Sequence, residues 1–314
     1  VAAIVKDPAS AQNASANKII RELGEAGGFT ASKVARGVDI LEAMCRDREC
    51  TRFLSFPANI MATGTRGVLR ELVERKLVSA VVTTCGTLDH DLARLWGDYL
   101  AGSFEADDRE LRKKNIHRLG NVFVPQKVYG ESVERHLQPM FKTMHESGLR
   151  DFGTWEFCNA LGEGISKEKR AKETLLYWAW KNEVPIVIPG PTDGAVGYQA
   201  WLFAQDHKDF RFNLWKDESL LHQLTTEAKK TGALMLGGGI SKHHVIWWNQ
   251  FREGLDYAVQ ITTAPEWDGS LSGARVREGI SWHKVKPDAP QVTIEGDATV
   301  LLPLMVGALL ERLG

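Results

Sequence analysis

Apolar residues along this chain follow two alternating periods. Near-continuous runs of Val, Ile and Ala at 78–84 and 184–189 have the pattern of strands buried on both faces. Shorter strand candidates lie at 52–56, 121–125, 210–214, 233–236, 257–263 and 292–294. Helix-period segments separate them. The spacing predicts two helices over 9–50, divided by Gly24, Gly27 and Gly28, with Thr30 as N-cap of the second at 32–45. Further helices are expected up to about 76, over 88–96, across most of 126–182 (including 129–147 and 167–180), over 218–231, from the glycines near 238 to 253, and over 299–313. Strand and helix alternate at least six times, and Gly, Asp and Thr gather at the strand ends. That pattern predicts an α/β fold with a mainly parallel, doubly wound, Rossmann-like sheet and helices on both faces. The expectation is one domain over 1–314, with 1–50 as an N-terminal helical segment packed on it.

Composition narrows the classes of function. At 314 residues the chain is ample for a substantial core. The 39 basic and 40 acidic side chains nearly cancel, which argues against a polyanion-binding surface, so nucleic acid is not an expected partner. Cys45, Cys50, Cys85 and Cys158 show no Cys-x-x-Cys spacing; a reduced compartment and no metal site are the simple reading. No stretch approaches ~18 apolar residues, and the opening residues turn charged too soon for a signal peptide. A soluble, cytoplasmic protein with no membrane partner is expected.

Candidate chemistry sits where strands meet helices. The loop 57–67 opens onto a helix and suits a phosphate, or simply an ordinary cap. Asp193, in a Gly-Pro-Thr-Asp-Gly turn after a buried strand, is placed to accept from a ribose hydroxyl or to form the turn. Gly237, Gly238 and Gly239 between an apolar strand and a helix let backbone amides approach an anion, although the spacing is not the dinucleotide fingerprint. Asp89 and Asp91 read as carboxylates complementing their own helix dipole, or as site residues. The densest chemistry lies at 266–284. If 280–285 is extended, Trp282 and Lys284 share one face and Glu278 joins them, while Ser281 and His283 face away. A carboxylate, an indole and a buried amine suit a cationic substrate that reacts through a carbon-nitrogen double bond. A half-buried Trp with a snorkelling Lys is the plainer alternative.

The motif Asp268-Gly-Ser-x-Ser-Gly-Ala, followed by Glu278-x-x-Ser-Trp-x-Lys284, resembles the active-site segment of the deoxyhypusine synthase family, in its archaeal form. Other motifs follow in family order: 57–67, Thr83 to Asp91, Thr192-Asp193-Gly194, and Gly237-Gly-Gly-x-x-Lys-His-His. The resemblance covers nearly all of the chain from about Gly28. It implies an NAD-dependent aminobutyl transferase that uses spermidine, and Lys284 would carry the four-carbon amine as an imine. The acceptor would be a lysine of the translation initiation factor 5A precursor. Lys284 and His243 are then catalytic, and Glu278, Trp282 and His243 bind substrate. The cofactor falls to Asn59, Thr84, Cys85, Gly86, Asp193, Gly237, Gly239, Thr263, Ala264, Asp268, Ser272 and Asp297. A homotetramer with sites between two subunits is also implied.

Some positions depart from the family pattern. Leu271 and Tyr198 stand where eukaryotic members place aspartates that hold the polyamine, His90 replaces a glutamate, and His283 replaces a glycine. Two alternatives stay open: transfer to a small amine such as putrescine, giving homospermidine, and a non-catalytic NAD- or polyamine-binding protein.

Overall fold

The computed structural model describes residues 15–314. The start of the first expected helix, 9–14, and the opening segment that argued against a signal peptide lie outside the described residues. Sequence reading expected one domain; by internal packing the chain divides into two compact units.

The first unit comprises Val1–Phe56, Leu77–Ser79 and Leu221–Gly314. Its four strands run parallel in the order Gln291–Glu295, Tyr257–Thr262, Lys230–Leu236, Cys50–Ser55. Leu234 aligns with Leu54 on one side and Val259 on the other, and all three are buried. Strands covered on both faces need apolar side chains on both, which explains their unbroken runs. The Ala31–Arg46 helix packs close to this sheet and to the Ala298–Leu313 helix, because at Gly37 a Cβ would fall 2.7 Å from Ile294 Cδ1 and 2.9 Å from Met305 Cε. The Thr30 side chain makes no capping bond at the start of that helix.

The second unit comprises Pro57–Lys76 and Ala80–Leu220. Ala80–Val82 pairs in parallel with Ile186–Val187 and Asp151–Phe152 with Arg211–Phe212, so parallel pairing prevails in both units, with helices flanking the strands. The α/β, mainly parallel architecture is the one the alternating periods implied. Ile116–Leu119 and Val122–Pro125 form an antiparallel hairpin across Gly120, which takes φ +59°. Its first strand was hidden in a highly charged segment, since both faces of a short surface hairpin can be polar. The helix expected over 167–180 instead spans Leu175–Asn182. Thr174 Oγ1 accepts from Tyr177 N and the Asp91 carboxylate accepts from Leu176 N, and these two caps place the start.

Candidate active site

The Lys230–Leu236 strand ends in a turn that only glycine makes easily. Gly237 and Gly239 take φ +66° and +65°. Between them Gly238 lies against backbone, where a Cβ would sit 2.3 Å from Ser272 N. The Gly239–Asn249 helix that follows carries Lys242 and His243 in its first turns. Lys242 is buried, and its Nζ donates to the carbonyls of Leu271 at 2.9 Å and Ala274 at 2.5 Å. Gln260 Nε2 donates to the carbonyls of Ser272 and Gly237. Two buried polar side chains thus hold the 271–274 loop.

That loop walls a cavity of about 240 Å³, which is also lined by His243, Glu278, Trp282 and Lys284. The segment leading to Lys284 is not extended. Val276–Trp282 is a 3-10 helix, and His283 takes φ 55°. Lys284 N donates to Gly279 O at 2.8 Å, and His283 N to Ile280 O at 3.1 Å. The expected strand alternation over 280–285 is therefore corrected: local backbone bonds wind the chain, and the wound turn brings Trp282 and Lys284 together. Lys284 is 9% exposed, with Nζ 5.1 Å from the Trp282 ring centroid and 5.8 Å from that of Trp247. Its backbone is pinned where Leu255 N donates to Lys284 O. His283 is exposed and lines a separate groove with Asp256, Tyr257 and Lys286.

Electrostatics in the cavity are uneven. Burial lowers the Lys242 ammonium to about 8, against the pull of Glu278. Burial lowers His243 too, and the nearby Lys284 and His244 add to the effect. Glu278 is exposed, and among the described residues its carboxylate makes no hydrogen bond or ion pair. The arrangement offers an amine beside indoles, a carboxylate open to a cation, and an imidazole able to hold or release a proton. Lys242 and Trp247 were missed from the sequence. Trp247 follows His243 by four positions, a spacing that puts both on one helix face and could have been used.

The cofactor candidates of the first unit lie beyond the carboxyl ends of its parallel strands, where such sheets bind ligands. Thr263 and Ala264 follow Tyr257–Thr262, and Ala264 N donates to Thr262 Oγ1. Asp268 accepts from Ser270 N and Oγ, and Asp297 caps the last helix through Thr299 N and Oγ1. Both carboxylates therefore serve local turns as well. Gly239 has open space where a side chain would stand.

In the second unit Asn59 is exposed on the Ala58–Ala62 turn, and Ala58 N donates to Thr84 Oγ1. Gly86 lies close against Ala58, and Cys85 against Gly194. Burial, and then the charge of Asp89, pushes the Cys85 thiol up to about 12, so this sulfur is no nucleophile. Asp193 is exposed in its turn, with its N donating to Gly190 O. Asp89 and Asp91 do not mainly serve their own helix. Asp89 accepts from Ala195 N, Val196 N and Tyr129 Oη, capping the Ala195–Asp206 helix, while Asp91 caps Leu175–Asn182. His90 is held down at about 4 by burial and then by Arg94, and its Nδ1 lies 2.9 Å from Tyr99 Oη. Among the described residues no group of three or more His, Cys, Asp or Glu side chains is placed to hold a metal ion, and no helix is long and apolar enough to cross a membrane.

The model of the deoxyhypusine synthase family matches residues 18–309. The chain belongs to that family. The "Probable deoxyhypusine synthase" of Picrophilus torridus is 50% identical over 307 residues, 98% of this chain and 97% of the relative. A protein of the same description from Thermoplasma volcanium is 48% identical over 298 residues, 95% of this chain and 94% of its own. An Entamoeba histolytica structure, provisionally named a deoxyhypusine synthase, aligns with a TM-score of 0.67 at 21% identity over 94% of this chain and 93% of that one. At that identity it speaks to the fold. Both relatives are archaeal, and membership of a deoxyhypusine synthase family makes this chain a member of an enzyme family.

Proposed function

We propose that the chain is a deoxyhypusine synthase that moves the 4-aminobutyl group of spermidine, through an imine on Lys284, to a lysine of the translation initiation factor 5A precursor. One observation carries this reading. Lys284, 9% exposed, shares a cavity with Trp282, Glu278 and His243, and its amine has an indole rather than a carboxylate for a neighbour. A cavity of about 240 Å³ suits a slender aliphatic amine. Lys284 Nζ forms the new bond to the imine carbon of the oxidised polyamine, and 1,3-diaminopropane leaves with the electrons of the broken carbon-nitrogen bond. The acceptor lysine repeats the exchange and frees Lys284, and the imine it then carries becomes the amine when the hydride removed from spermidine is returned to its carbon together with a proton on its nitrogen. His243 holds and moves the proton on the nitrogen that is exchanged. Glu278 pairs with a substrate ammonium, and Trp282 covers the methylenes.

NAD fits as the cofactor. Gly239 leaves room for close approach beside a helix start, and the loops after three adjacent parallel strands lie at the sheet end where dinucleotides are held. By the resemblance, Gly237, Gly239, Thr263, Ala264, Asp268, Ser272 and Asp297 of the first unit would hold it, while Asn59, Thr84, Cys85, Gly86 and Asp193 are the second unit's own cofactor candidates. When bound it supplies a temporary acceptor for hydride. A homotetramer with sites between subunits, working in the cytoplasm, belongs to the same reading.

Mass spectrometry of borohydride-treated protein incubated with NAD and spermidine tests it. A butylamine adduct is expected on the Lys284 peptide and absent in Lys284→Ala; an adduct elsewhere, or none, overturns it. Leu271 lines the cavity where eukaryotic members carry an aspartate, which keeps transfer to a small amine in view. Supplying the factor 5A precursor or putrescine as acceptor, and following the label, separates the two.

A further inference from the structure

Resting on that reading, we infer that Trp247 is a second substrate-binding aromatic wall, which selects cationic polymethylene amines beside Lys284. Lys284 Nζ lies within 6 Å of two indole centroids, those of Trp282 and Trp247. The His243 ring is 5.7 Å from that of Trp247, at 31°, so the aromatic surface continues from the imidazole to the lysine. Trp247 is 40% exposed and Trp282 61%. Large apolar rings left this open next to a buried amine are surfaces that a ligand would cover.

The charge inventory points the same way. With Leu271 apolar, Glu278 is the acidic side chain among the lining residues of the cavity. A polyamine carries several ammonium groups, and one carboxylate cannot satisfy them all. An indole face attracts a cation and also packs on the methylenes between charges. It does so without fixing where along the chain the charge falls. Trp247 is held for this task by its helix, whose neighbouring residues Val245 and Ile246 are buried.

Calorimetric titration of spermidine into the full protein with NAD present tests this, using Trp247→Phe, Trp247→Leu and Trp247→Ala. Trp247→Phe should keep most of the affinity, whereas Leu and Ala should each weaken binding roughly 2- to 30-fold. At saturating spermidine the borohydride-trapped adduct on Lys284 should persist in all three. Wild-type affinity in Trp247→Leu overturns the inference and leaves the proposed reaction standing. Loss of binding in all three variants together with loss of the adduct also overturns it, since Trp247 would then be shaping the fold. If the wild-type protein binds no spermidine and forms no adduct, the functional reading itself fails.

Discussion

Lys242 Nζ donates to the Leu271 carbonyl at 2.9 Å, so one buried amine joins the helix bearing His243 to the loop that walls the cavity. Burial lowers this ammonium from its ordinary 10.5 to about 8. Between those values the unfolded chain binds more protons than the folded one. The contribution of Lys242 to stability is therefore full above 10.5 and is lost as pH falls through 8. It amounts to about 3 kcal/mol across that window. Urea midpoints measured from pH 7 to 10.5 should rise more steeply in the wild type than in Lys242→Met. Parallel curves would remove Lys242 from the account.

His243 titrates below its ordinary 6.5 because of burial, and then because of Lys284 and His244. It stays neutral, and able to take a proton, below pH 6.5, and activity should fall only as pH drops through the lowered value. In Lys284→Met the His243 ring resonance should titrate closer to 6.5, as followed by NMR. His243→Gln should lower kcat by roughly 10²- to 10⁴-fold.

Glu278 presents an exposed carboxylate to the cavity. Losing a charge-assisted hydrogen bond typically costs about 1.5–3 kcal/mol. Glu278→Gln should raise the KM for spermidine roughly 10- to 100-fold and leave the NAD dissociation constant unchanged. A fall in kcat at constant KM would count against substrate pairing.

Gly238→Ala would put a methyl 2.3 Å from Ser272 N and 2.4 Å from Ser272 Cα, where only backbone can yield. Thermal melts should show a loss of about 1–3 kcal/mol, together with weaker dinucleotide binding as the 271–274 loop shifts. An unchanged melting temperature would mean that the two loops slide apart at no cost.

The sequence by itself determined the α/β class and most strand positions and singled out Lys284, Trp282, Glu278 and His243 as candidates, because apolar period and motif order are written along the covalent chain. It did not determine how those residues meet. Strand alternation was the wrong route for Trp282 and Lys284: bonds to the Gly279 and Ile280 carbonyls wind that segment instead. The burial of Lys242 depends on carbonyls 29 and 32 residues away, which no local pattern records. Asp89 and Asp91 read as carboxylates complementing their own helix dipole or as site residues, and the amides they accept from lie 85 to 107 residues further on. Periodicity records which face of an element is apolar. Which distant amide, carbonyl or indole comes to that face is decided only when the tertiary fold must satisfy every buried polar group at once.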